Sequence, residues 1–103
     1  MQFRNQPRKK TDANQIEIVK HFLSLGCKVQ DLSQVGGGCF DLLVGIPTPK
    51  GLILKFVEVK TIDGKLNALQ KSFSKEWTGA NHMVRTTKDV DCLVRSYNQD
   101  EKL

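Results

Sequence analysis

The stretch Phe40-Asp41-Leu42-Leu43-Val44-Gly45, followed after a turn by Phe56-Val57-Glu58-Val59-Lys60, decides how this chain folds. Both are short apolar runs of strand length; an acid opens the first, and a Glu-x-Lys triplet closes the second. Glu58 and Lys60 are two apart, so on a strand their side chains leave from one face. Between the runs, Ile46-Pro47-Thr48-Pro49-Lys50-Gly51 carries two prolines and a glycine and reads as a hairpin turn. A hairpin returns Asp41 alongside Glu58 and Lys60, to within a residue or two of register. Two carboxylates and an amine then meet at one end of a two-stranded ribbon.

Such a cluster suits a divalent cation beside a phosphate. Mg²⁺ takes oxygen ligands and keeps several waters, so one or two carboxylates plus a substrate phosphate suffice to bind it. Asp41 and Glu58 supply the carboxylates, and the backbone carbonyl of Val59 offers a third protein oxygen. The metal acidifies water and offsets charge on the phosphoryl oxygens. Lys60 fits as the group that orients or deprotonates that water, or that stabilises the transition state. The reaction this implies is phosphodiester hydrolysis. A plain solvated hairpin face also explains a Glu and a Lys two apart, because a three-residue pattern is a weak motif. Against it, Leu52, Leu54 and Phe56 fall on the same strand face as Glu58 and Lys60, and charges that continue an apolar face need partners.

Around these residues the chain resembles small nucleases of the PD-(D/E)XK superfamily. It is most similar to the stand-alone VRR-NUC proteins of phages and prophages, which are related to Holliday junction resolvases. The resemblance runs from about Lys9 to Val94. It is carried by Asp12-Ala13-Asn14-Gln15 with Glu17-Ile18-Val19, by Gly36-Gly37-Gly38-Cys39-Phe40-Asp41 and the run after it, and by Val57-Glu58-Val59-Lys60. Leu69-Gln70 with Trp77, and His82-Met83-Val84-Arg85-Thr86, complete the series.

The resemblance implies a restriction-endonuclease-like α/β sandwich around a mixed central sheet, in the order αβββαβα. It implies Asp41 and Glu58 as metal ligands with the Val59 carbonyl, Lys60 as the catalytic lysine, and Gln70 as a glutamine pointing into the site. Gln15 falls where many relatives carry a glutamate on the first helix. Its missing charge weighs against a second metal on that side, and Phe40 replaces the proline that usually precedes the aspartate. The implied protein is an Mg²⁺- or Mn²⁺-dependent, structure-selective DNA endonuclease, resolvase-like. It would be homodimeric, with branched DNA (a four-way junction or flap) as its partner. The alternative is a DNA-binding accessory protein that keeps the fold and has weak or no turnover.

Composition agrees with this. A chain of 103 residues suits one domain, and a formal charge of +5 favours a polyanionic partner. There is no run of eighteen apolar residues and no signal-peptide pattern, so a cytoplasmic home is expected; the resemblance to phage and prophage proteins implies a bacterial host cell. Cys27, Cys39 and Cys92 are odd in number and widely spaced, which argues against zinc or a disulfide framework. Residues 1–10 read as a basic tail, 11–97 as the nuclease domain and 98–103 as a second tail.

Within the domain, Thr11 or Asp12 is expected to cap a first helix that ends at Gly26. Ile18, Val19, Phe22, Leu23 and Leu25 form its apolar arc, with Gln15 inside the arc and Glu17 nearly opposite. Cys27 to Leu32 reads as a strand with Val29 inward. The glycine run 36–38 reads as a flexible turn, since no Lys-Ser/Thr follows it as in a P-loop. A second helix is expected from Leu66 to Trp77, with Leu66, Leu69, Phe73 and Trp77 in one stripe around Gln70. His82 to Arg85 reads as a strand and Thr87 to Val94 as the last helix. His21 is expected at the helix surface.

Overall fold

A computed structural model of the chain describes residues 13–98. The expected caps Thr11 and Asp12, the basic tail and the end of the C-terminal tail lie outside the described residues. Three helices flank a four-stranded mixed sheet in the expected αβββαβα order. The elements are α1 (Gln15–Ser24), β1 (Lys28–Asp31), β2 (Leu42–Thr48), β3 (Gly51–Val59), α2 (Ala68–Glu76), β4 (Asn81–Val84) and α3 (Thr87–Ser96). In space the strands run β1-β2-β3-β4; the first three are antiparallel, and β4 lies parallel to β3.

The two faces of the sheet are covered differently, and strand alternation sorts the side chains between them. Leu42, Val44, Ile46, Val57, Val59 and Val84 point to one face and pack with Ile18 and Phe22 of α1 and Val90 and Leu93 of α3. Cys27 joins this core, where burial pushes its thiol pKa up and keeps it protonated. His21 is half-buried rather than at the open surface: its Nε2 lies 2.7 Å from Asp91 Oδ1 and ties α1 to α3.

The opposite face is covered at one end, by α2. Phe56 of β3 stacks on Phe40 with ring centroids 5.1 Å apart and meets the Trp77 edge at 5.2 Å, while Phe73 packs edge-on against Phe40. A nine-residue helix is about 13 Å long, too short to reach the hairpin tip. Leu52 and Leu54 are therefore 52% and 62% exposed, and the expected apolar continuation of the Glu58 face is absent there.

Other expectations need correction for similar reasons. Leu23 and Leu25 leave the α1 arc and are exposed, because Leu23 sits five residues after Ile18, well off the stripe set by Gln15, Ile18 and Phe22. Leu69 is exposed, and α2 starts at Ala68 rather than Leu66. β4 begins one residue early, and α3 runs two residues past Val94. The turn is shorter than expected: Thr48 pairs with Gly51, leaving Pro49-Lys50 as the loop. Pro47 lies inside β2, beyond Gly45 where β1 pairing stops, so its missing N–H leaves no rung of that ladder unfilled. Among the described residues no helix is long and apolar enough to cross a membrane.

The glycine run is a built turn rather than slack. Gly36, Gly37 and Gly38 all have positive φ, at 75°, 65° and 84°. A Cβ on Gly38 would lie 2.7 Å from the Leu69 carbonyl oxygen, so the chain packs bare backbone against the start of α2. A Cβ on Gly37 would meet nothing within 4 Å. Gly37→Ala is expected to cost the left-handed penalty alone, about 1–2 kcal/mol. Gly38→Ala should cost about 2–5 kcal/mol, because overpacking adds to that penalty. Urea denaturation of both variants reads the difference, and equal losses would remove the close approach.

Candidate active site

The pairing of Leu42 with Val57 sets the site. One step further along the hairpin, Asp41 and Glu58 fall side by side on the α2 face. Both are nearly inaccessible, at 3% and 5% exposure. A buried carboxylate is costly unless hydrogen-bonded. The Val59 backbone N–H donates to Asp41 Oδ2 at 2.7 Å, so a side chain takes the place of the next ladder carbonyl. The Asp41 carbonyl accepts the Leu32 N–H at 2.7 Å, which ties the residue to the end of β1 as well. In an antiparallel ladder the N–H and C=O of one residue point the same way. The Val59 carbonyl therefore opens toward the space that Asp41 occupies.

Glu58 is steered from the other side. Gln70 Nε2 donates to Glu58 Oε2 at 2.9 Å, and Lys60 Nζ lies 3.8 Å from the same oxygen. The Lys60 side chain is only 13% exposed. Gln70 is 5% exposed and also closes the capping box of α2: its N–H donates to Asn67 Oδ1 at 2.8 Å, and its Oε1 accepts the Asn67 N–H at 3.0 Å. The amide thus spends its oxygen on the helix cap and its nitrogen on Glu58. It points toward Glu58, as a strut for the carboxylate.

Gln15 stands apart. It is 4% exposed on the first turn of α1, and among the described residues its Oε1 has no hydrogen-bond partner. Glu17, two residues on and nearly opposite on the helix, is exposed.

Two further residues brace the cluster. Asn14 Nδ2 donates to the Lys60 carbonyl at 3.1 Å and to the Arg85 carbonyl at 2.7 Å. Arg85 Nη1 donates to the carbonyls of Thr61 at 2.5 Å and Gly64 at 2.6 Å, which folds the loop after Lys60 back on β4. Neither role is legible locally, since the Asn14 partners lie 46 and 71 positions away. The Asn67-x-x-Gln70 box did carry a signal, the side-chain acceptor three residues before an amide.

The donor set is two carboxylates, a backbone carbonyl and an amine at one strand end. Among the described residues no third His, Cys, Asp or Glu joins the pair. Hard oxygen donors with a neighbouring lysine suit a divalent cation and a phosphate better than a soft metal.

A solved structure described as a VRR_NUC domain is 30% identical to this chain. The match covers 82% of this chain and 97% of the other, with a TM-score of 0.59. No protein-family model matches the chain, and no curated protein does.

The Gln70 strut yields a stability prediction. Gln70→Ala removes one half of a capping box and the amide on a buried carboxylate, and should cost about 1–3 kcal/mol. Thermal or urea unfolding measures it; a loss below about 0.5 kcal/mol would mean that the bond to Glu58 contributes little.

Proposed function

The chain belongs to the VRR-NUC family of nucleases, and from that premise we propose that it is a metal-dependent, structure-selective endonuclease that hydrolyses phosphodiester bonds in branched DNA. The observation that carries this reading is the buried Asp41–Glu58 pair with Lys60 3.8 Å from Glu58. Residues 11–97 form the proposed catalytic domain.

Nucleases of this fold generally use divalent metals, and the residues present fit one. Two carboxylates are held side by side at one strand end, beside the Lys60 amine. The Gln15 amide oxygen, buried and unpartnered there, offers a further acceptor for a water on the helix side. Asp41, Glu58 and the Val59 carbonyl would hold Mg²⁺ or Mn²⁺. Such an ion supplies Lewis-acid charge that acidifies water and offsets charge on the phosphoryl oxygens.

The protein's own groups do the rest. The Val59 N–H fixes Asp41, and Gln70 fixes Glu58, so both carboxylates are oriented before DNA arrives. Lys60 reaches the same edge with three donors. It orients or deprotonates the attacking water, or donates to the phosphoryl oxygen that gains charge. Gln70 acts through Glu58, and Gln15 lacks the charge to replace a carboxylate ligand. Two copies about a two-fold axis would suit paired cuts in a four-way junction, which supports a homodimeric, resolvase-like enzyme. A formal charge of +5 favours the DNA partner.

The test is a cleavage assay on labelled four-way junction, flap, single-stranded and linear duplex DNA, each with Mg²⁺, Mn²⁺ or EDTA. Metal-dependent, symmetric nicks in the junction are expected, with slower cutting of linear duplex. Asp41→Asn, Glu58→Gln and Lys60→Ala should each lower the rate about 10²–10³-fold or more while circular dichroism stays native. Wild-type-like cutting by any one removes that residue from the site. A junction shifted in a gel but never cut would give the lead to the DNA-binding accessory reading, in which Gln15 marks a site without turnover.

A further inference from the structure

We propose that Asn14 is a positioning residue for Lys60, holding the Lys60 carbonyl against the end of β4 and so fixing the backbone from which the lysine reaches Glu58. As a catalytic role this rests on the nuclease reading; as a statement about Lys60 it does not.

Three observations carry it. First, Asn14 stands at the N-cap of α1, yet its side chain makes no capping bond. Asparagine is favoured at that position because its side-chain oxygen accepts a helix N–H. Here the amide turns away from its own helix and spends its nitrogen on two carbonyls, of Lys60 and of Arg85. Its Oδ1 is buried and has no partner among the described residues. Retaining an amide in that place makes sense for the donor end.

Second, the two carbonyls belong to the C-terminal ends of neighbouring parallel strands. The Lys60 N–H donates to the Val84 carbonyl at 3.0 Å in the last rung between β3 and β4. Asn14 clamps the next carbonyl on each chain, where the ladder stops. Without it Lys60 sits at a fraying strand end, one residue beyond β3.

Third, the segment that follows Lys60 is braced from the same place. Arg85 Nη1 gathers the Thr61 and Gly64 carbonyls, and its backbone N–H is held by Asp89 Oδ2 at 2.8 Å. A Cβ on Gly64 would stand 3.4 Å from Lys60 Cδ, so this loop lies along the lysine stem. Asn14 locks the carbonyl of the very residue that holds these carbonyls. Asn14 and Arg85 thus fix Lys60 from the backbone side, while Glu58 meets its amine.

A side chain with only a structural role would lower stability and leave the folded protein's Lys60 unchanged. Amide hydrogen exchange separates the two, because local and global opening differ in which amides they expose. Wild type, Asn14→Ala, Asn14→Asp and the core variant Val90→Ala are compared at a temperature well below every unfolding transition. Asn14→Asp keeps the size but sets an acceptor-only carboxylate against two carbonyls. Both Asn14 variants are expected to speed Lys60 exchange at least tenfold while Val57, inside β3 and opposite Leu42, stays within twofold. Val90→Ala should move both amides together or neither.

In single-turnover cleavage the Asn14 variants should fall about 10–100-fold. Their affinity for the same junction, measured by gel shift in Ca²⁺, should stay within twofold, and Val90→Ala should cut at the wild-type rate. Lys60 exchange that rises only in step with Val57 overturns the proposal, as does an unchanged cleavage rate in an active enzyme. If wild type cuts nothing yet Lys60 exchange responds to Asn14, the positioning stands and the nuclease reading falls.

Discussion

The hydrogen bond from the Val59 N–H to Asp41 Oδ2 is the constraint on which the rest depends. It replaces a backbone rung with a carboxylate at the point where β2 has yet to begin and β3 ends. That substitution makes a buried Asp41 tolerable in a small domain, since the charge receives a strong donor. It also fixes where the second carboxylate must be. With Leu42 opposite Val57, Glu58 has no place to go but beside Asp41. The arrangement sets two carboxylates at one strand end, beside the Lys60 amine.

Glu58 and the backbone of Lys60 are each held by a neutral side-chain amide that also does a second job. Gln70 joins Glu58 to the α2 cap, so the helix cannot shift without moving the carboxylate. Asn14 joins the start of α1 to the ends of β3 and β4. Amides serve here because they donate without adding charge. The glycine at 38 completes the frame by letting the approach to Asp41 pass against the first turn of α2.

Much of this frame could be read in advance, for identifiable reasons. Strand alternation and a proline-glycine turn gave the hairpin, and the turn residues limited register to a few choices. The α2 stripe flagged Gln70 as an amide that needed a partner. The misreadings also share a cause. Leu52 and Leu54 alternate as well as Phe56 does, but alternation says only that two residues share a face. Whether that face is covered depends on a helix nine residues long that arrives from later in the chain. Leu23 and Leu25 look apolar enough for a core that stops at Phe22, and Leu69 meets solvent where Phe73 meets Phe40.

The sequence by itself determined the order of elements, the hairpin that brings Asp41, Glu58 and Lys60 to one end, and the hard-oxygen character of the cluster. These follow from local chemistry: period-two alternation, turn residues, and the donor types of the side chains. Tertiary structure alone decided which face of the hairpin is roofed, where the buried amides send their nitrogens, and what holds Lys60 in place. Those contacts join residues 12 to 71 positions apart. No local propensity records such pairs, because their geometry exists only once the helices have packed on the sheet.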